Sequence, residues 1–418
     1  MADAQDPIKS AQIALAATEW SKARTLFEAA LQAQDSPEAH DGLGIALWWL
    51  NEINASHKHR TQAYIGFKNR GDACRAARIA VWLAREQVFL NSNVNAMQGW
   101  FARAERLLEN EACVERGWYA LMRASLLATS AQLEETSLET LALAHQFKDV
   151  DLEAISIAFC GLARVTQGRV LDGLSNLDEA MVAAYSGELS YMTVSEIFCL
   201  MLSACEMAGD LVRTEHWCQA AIEYSQERHC SFLSAYCRTT YGTFLTAIGR
   251  WNEAESALME AIRIFDSGHH GLRIHAVIKL ADLRVCQGRL EEAEVLLSGY
   301  EDLGDSAIPL ARLYLARGEK LLARATLEQA LQLDHTPSLD QAPHLRLLVD
   351  VLLSIGDVDS ARHSVGLLAE LADQTQSDLF FAQAELAQGQ VKRYDGDPDA
   401  IHCFESALFR LRAYEQSI

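Results

Sequence analysis

The residues best suited to metal chemistry are three histidines close together, His269, His270 and His275. Imidazole is a common ligand for zinc and copper. Their spacing argues against a shared ion, because adjacent positions point apart on a helix and five- or six-residue separations are not face-mates. His216-Trp217-Cys218 and His229-Cys230 are adjacent pairs that lack a matching second pair. No phosphate-binding Gly-x-x-x-x-Gly-Lys-Ser/Thr loop, dinucleotide Gly-x-Gly-x-x-Gly, His-Glu-x-x-His or Gly-x-Ser-x-Gly occurs. Gly42-Leu43-Gly44 lies inside a helical pattern and reads as close helix packing. The expectation is a protein with no metal, no cofactor and no catalytic constellation, hence not an enzyme.

Aromatic and basic residues offer a different chemistry. Trp48, Trp49, Trp82, Trp100 and Trp118 fall in the first third of the chain, with Arg78 and Arg103 placed to stack on them. Trp48, Arg78, Trp82, Trp100 and Arg103 therefore form one candidate binding region, although packing alone would also use such rings. Residues 57–123 carry 11 Lys and Arg against 6 Asp and Glu, whereas residues 124–200 carry 3 against 11. The formal charge of the whole is −21. That balance opposes non-specific contact with nucleic acid or an anionic membrane face. The ten cysteines include no Cys-x-x-Cys, the first residues lack a signal peptide's basic and apolar regions, and no apolar run suggests a membrane span. These features predict free thiols and a cytoplasmic location.

The elements that position these residues repeat. Gly followed by a charged residue, with a small residue five on, occurs at Gly71, Gly168, Gly249, Gly288, Gly318 and Gly356, with looser copies at Gly209 and Gly396. From Gly168 the steps are 41, 40, 39, 30, 38 and 40 residues. Such a period marks a helical-repeat solenoid. Ala, Leu, Glu, Arg and Gln dominate, Pro is scarce at six, and no alternating β-branched run is evident, so the chain reads as all-α. Each unit reads as helix, Gly-closed turn, helix. Around Gly249 the small residues are Gly242, Ala254 and Ala261, at −7, +5 and +12, and around Gly318 they are Ala311, Ala323 and Ala330. This resembles the tetratricopeptide repeat. The long period predicts helices about a turn longer than usual. The expectation is a right-handed superhelix of about nine or ten hairpins in one continuous solenoid, with 1–150 irregular over 84–150 and 151–418 regular.

Residues 39–108 carry a further signature, in Ala39–Leu50, Gly71–Ala84 and Gly99–Leu108. It resembles the tetratricopeptide sensor region of bacterial LuxR-type transcriptional regulators. No helix-turn-helix pattern follows in this sequence, so direct DNA binding is not expected. The resemblance implies a sensor or interaction region of such a regulator, and the alternative is a stand-alone scaffold joining proteins without sensing. Helix A of each repeat lines the concave face in that family. It places Glu196, Cys199, Ser203 and Glu206, then Tyr236, Thr239, Thr243 and Thr246, then His275 and Asp282, Arg312, and Arg346 with Asp350 on the groove. The implied ligand is a protein or peptide partner, or a small polar effector. A homodimer is a further expectation.

Overall fold

The structure is a computed structural model that describes residues 7–91, 93–228, 231–267, 270–332, 339–375 and 377–416. Among the described residues are 22 α-helices, two short 3-10 turns and no strand. The helices pair in order into eleven antiparallel hairpins, from Pro7–Ala16 with Trp20–Ala33 to Asp378–Tyr394 with Ala400–Gln416. The chain is a tetratricopeptide-like right-handed solenoid. The long period is spent as expected: Tyr191–Ala208, Leu211–Glu227, Ser231–Ala247 and Trp251–Asp266 run 16 to 18 residues, whereas the compact copy has Ala307–Ala316 and Lys320–Gln332 at 10 and 13.

The eleventh hairpin was hidden by turn chemistry. Gly209 closes Tyr191–Ala208 at φ +67°, and the next amide, of Asp210, donates to the Cys205 carbonyl at 3.0 Å. Glycine enters this left-handed region without a Cβ clash. Thr18 and Asn51 adopt the same conformation at φ 59° and 65°, and the Glu19 and Glu52 amides close back to Ala14 and Leu47. The first two hairpins thus turn without glycine. Gly71 makes the same local turn but joins two hairpins, because Ala73–Asn91 packs in the inner row with Glu115–Leu127. It does not belong to the within-hairpin series.

Small residues sit where helices nearly touch. Ala254, Ala261, Ala311 and Ala323 are fully buried, and a Cβ on Gly242 would lie 2.5 Å from Leu258. Successive hairpins are also pinned by ion pairs. Two copies share the phrase Arg-Val-x-Gln-Gly-Arg, at 164–169 and 284–289. In the second, Arg284 and Gln287 bond Glu255 of the preceding hairpin at 2.7 and 3.4 Å, with Arg289 alongside. In the first, Arg164, Gln167 and Arg169 converge on Glu134 in the same way.

The Arg284 hydrogen bond holds the Glu255 carboxyl at about 2, against an ordinary 4.5. A depressed carboxylate stabilises the fold fully above its unfolded value, and that contribution fades as pH falls toward the folded one. The stability difference between the parent chain and Glu255→Gln is therefore expected to be constant above about pH 5 and to shrink between about 4.5 and 2. Urea unfolding at stepped pH checks this, and a difference that stays flat down to pH 2 refutes it.

The superhelix curls tightly enough for its ends to reach its middle. Trp20 Nε1 donates to the Arg228 carbonyl at 3.1 Å, and Trp49 packs edge-on against Tyr191 at 4.8 Å. From the other end, Leu379 abuts the Gly209 turn and Gln374 and Thr375 abut Gly168. Tyr191–Ala208 lies between them. Contrary to the sequence reading, this helix is long and apolar enough to cross a membrane by length and composition, at mean hydropathy 1.3. Within the fold 67% of it is buried, as in the core helix of a packed protein.

Candidate functional site

The curl brings the two candidate regions together. Trp48 and Trp49 end the helix Pro37–Trp49, Arg60 projects from Ile53–Asn69, and Trp82, Arg85 and Glu86 project from Ala73–Asn91. They face Met192, Ser195, Glu196, Cys199, Leu200 and Ser203 of Tyr191–Ala208, and Tyr236 of Ser231–Ala247, across a cavity of about 190 Å³. The walls are aromatic and the polar groups are charged. Arg60 and Arg85 lie over the Trp82 ring at 5.7 and 5.2 Å from its centroid. Arg85 pairs with Glu196 at 2.6 Å, and Arg60 contacts Glu86 at 3.0 Å without an aligned hydrogen bond. His57 Nδ1 lies 2.9 Å from the other Glu86 oxygen. Arg60 and Glu86 are 2% and 3% exposed. Buried charges persist only when paired, and here two guanidiniums balance two carboxylates. Opposite them the Tyr236 and Ser203 hydroxyls are 2.7 Å apart, and burial pushes the Tyr236 phenol far above its usual value.

Tyr236 and Leu272 also line a second cavity of about 700 Å³, mostly apolar but richer in polar groups than the first, where Glu206, Thr239, His275, Lys279, Asp305 and Gln341 meet Leu339, Leu379 and Phe380. Burial disfavours the Lys279 charge, but the Glu206 carboxylate at 2.9 Å outweighs it and raises the lysine's pKa. His275, bonded at 2.9 Å, holds Asp305 below the usual carboxylate range, and burial lowers His344. Gln341 is 9% exposed, and among the described residues its amide nitrogen has no hydrogen-bond acceptor. A buried donor left unpaired costs about 1–3 kcal/mol, so a small rotation of the Gln341 amide toward the cavity would let an occupant's carbonyl oxygen offset that cost.

Eight expected groove positions therefore line one of the two cavities: Glu196, Cys199 and Ser203 the smaller, Glu206, Thr239, Thr243 and His275 the larger, and Tyr236 both. Trp48 and Trp82 join them. Other expected positions lie elsewhere. Asp282 and Arg312 bind each other through two contacts of 2.7 Å, and Arg346 pairs with Asp350 at 3.0 Å. Neither pair lines either cavity, nor does Thr246. The threonine stripe is less available than its spacing suggests. Thr239, Thr243 and Thr246 each donate to the carbonyl four residues back, at 3.0, 3.1 and 2.8 Å, so they present lone pairs but no free proton. In the tryptophan-rich region Arg78 stacks on Trp118 at 4.0 Å, and Arg103 lies 5.1 Å from Trp100, which packs on Tyr64. The expected positions Arg78, Trp100 and Arg103 line neither cavity.

Sequence reasoning missed Arg60, Arg85, Glu86 and Gln341. The basic excess of 57–123 was the signal for the arginines, but charge counting could not show that they point inward. The cysteine reading needs a correction: Cys74 and Cys113 are disulfide-bonded across 39 residues, while among the described residues Cys160, Cys205, Cys218, Cys286 and Cys403 are free. The pair meets because the start of Ala73–Asn91 abuts the break 109–114. His269, His229 and Cys230 lie outside the described residues, as does the His270 side chain.

No protein-family model matches the chain, and no curated protein matches it in sequence. Among solved structures it is similar to a Rap protein complexed with competence and sporulation factor, at TM-score 0.50 and 12% identity over 98% of both chains. It is also similar to yeast Tom70, at 0.42 and 12% over 98% of this chain and 94% of that one. A third is NprR in complex with its cognate peptide NprX, at 0.44 and 13% over 78% and 86%. These likenesses are of fold.

Proposed function

We propose that the chain is a helical-repeat interaction module that takes an extended peptide, or the peptide-like end of a protein partner, inside its superhelix. The carrying observation is a pair of neighbouring interior cavities that share Tyr236 and Leu272 as walls. A compartment of about 190 Å³ walled by Trp48, Trp49, Trp82 and Tyr236 suits one apolar or aromatic anchor. The neighbouring 700 Å³, where the Gln341 amide lacks an acceptor among the described residues, suits the backbone that follows. The Rap protein of the same fold is complexed with competence and sporulation factor, and a factor enclosed in this chain's interior would be the counterpart. On this reading the solenoid is one body and works without catalysis, in the cytoplasm. The narrower role, as sensor of a LuxR-type regulator, rests on the resemblance over residues 39–108. The scaffold role needs only the fold and is the better supported of the two. A helix-turn-helix encoded beyond Ile418 would favour the sensor.

The test is a panel of short peptides with aromatic ends, read by tryptophan fluorescence and thermal shift. A peptide at a hundred times its Kd should stabilise the fold by about 2.7 kcal/mol. Thr243→Arg places a long side chain in the larger cavity from a half-buried helix position and is expected to weaken binding at least about tenfold, or about 1.4 kcal/mol, with unchanged circular dichroism. Binding at parental affinity by a folded Thr243→Arg would place the ligand elsewhere.

A further inference from the structure

The disulfide pair belongs to a larger cluster. Cys74 is the second residue of Ala73–Asn91, and Cys113 precedes Glu115, which opens the helix Glu115–Leu127. The Cys74 and Cys113 sulfurs and a Glu115 carboxylate oxygen lie within 4.8 Å of one another, and Glu111 Oε2 is 3.9 Å from Cys74 Sγ. All three of the closer residues are partly buried.

We propose that in the reduced chain Cys74, Cys113 and Glu115 form a three-ligand binding site for a divalent cation of the zinc class, with the fourth position left to water. Thiolate and carboxylate are both zinc ligands, at about 2.3 and 2.0–2.2 Å. A tetrahedron with those bonds separates its ligand atoms by about 3.3–3.8 Å, so once the S–S bond is broken the two sulfurs must part by about an ångström or more, while all three ligand atoms already lie within 4.8 Å of one another. The charge argument points the same way. Cys74 and Glu115 sit in the first turns of their helices, where the backbone N–H ends favour an anion. Reduction would then gather two thiolates and two carboxylates in one place. Arg116 is turned to the Glu111 carbonyl at 3.4 Å, not to its carboxylate, whereas the partly buried Arg78 acts on Glu115 through space, so Glu115 is the partly compensated ligand of the set. A divalent cation would neutralise what the disulfide neutralises by removing the thiols.

The chemistry balances. A dithiol reductant supplies two electrons and two protons, the S–S bond breaks, two thiols form, and the reductant becomes a disulfide. The cation then displaces both thiol protons to solvent and forms two metal–sulfur bonds. Cys286 is an exposed free thiol, which fits a chain that meets reducing conditions. The site is independent of the peptide-binding reading, although it clamps the first turn of the helix that carries Trp82, Arg85 and Glu86.

The experiment uses the full chain, reduced with a dithiol, desalted without oxygen and titrated with Co²⁺. One equivalent should give a sulfur-to-cobalt charge-transfer band with tetrahedral ligand-field bands, and Zn²⁺ should bleach them mole for mole. Cys113→Ser should remove the band. Glu115→Gln keeps both sulfurs and should weaken Zn²⁺ binding about tenfold or more. Absence of the band in the reduced chain, its persistence in folded Cys113→Ser, or parental Zn²⁺ affinity in Glu115→Gln would each overturn the site. Circular dichroism establishes folding, and if Cys113→Ser does not fold, Glu115→Gln decides alone.

Discussion

Replacing Glu86 by Ala is expected to destabilise the fold by about 3 kcal/mol, the lower end of the cost of breaking a buried pair, because Asp41 still acts on Arg60 through space. Glu86 is 3% exposed and meets both Arg60 and His57, and Arg60 is 2% exposed. Without the carboxylate, the Arg60 guanidinium remains in a low-dielectric site against the Trp82 ring. A cation–ring contact returns only about 0.5–2 kcal/mol, less than the charge costs. The double variant Arg60→Met, Glu86→Leu removes both charges and keeps the bulk, so it should lose much less than the single one. Urea unfolding of the three chains measures the difference. A single variant that loses under about 1 kcal/mol would mean that water reaches Arg60.

The second large effect concerns Gly173. A Cβ there would lie 2.5 Å from the Gly161 carbonyl oxygen and 2.8 Å from the Val165 amide nitrogen. Both obstacles are backbone, so no side chain can swing aside. Gly173→Leu is expected to cost about 3 kcal/mol or more, the upper end for overpacking, and to lower the thermal midpoint. Gly366 is the control. It lies inside the helix Val358–Thr375, and an added Cβ would meet nothing within 4 Å. Gly366→Ala should therefore stabilise by up to about 1 kcal/mol through helix propensity alone. If Gly173→Leu leaves the midpoint unchanged or raises it, the close approach of Val150–Thr166 and Val170–Tyr185 is refuted.

Much of this fold was legible because glycine and alanine carry geometric obligations that spacing reveals. Gly209, Gly249 and Gly318 mark left-handed closures, and Ala254 and Ala311 mark contacts with no room for more. Thr18 and Asn51 perform the same closure under types that also serve elsewhere, so the first hairpins were harder to count. The site was legible only in halves. Trp82 and Glu196 are each suggestive, but their meeting depends on superhelical curvature, which sums small rotations over several hairpins and leaves no local trace. The threonine stripe shows the opposite limit: its periodicity was read correctly, while the hydroxyl protons had nearer acceptors in their own helix.

The curl that joins the ends to the middle also bears on how the chain comes apart. An open solenoid interacts only between neighbours and can peel from either end, repeat by repeat. Here Trp20 bonds to residue 228, 208 positions along, and Leu379 seats on Gly209. Such contacts raise the mean sequence separation and slow folding, because distant segments must be closed into a loop before they are rewarded. The expected signature is hydrogen-exchange protection at the first hairpin comparable to that of Tyr191–Ala208, in place of a gradient that decays toward the ends.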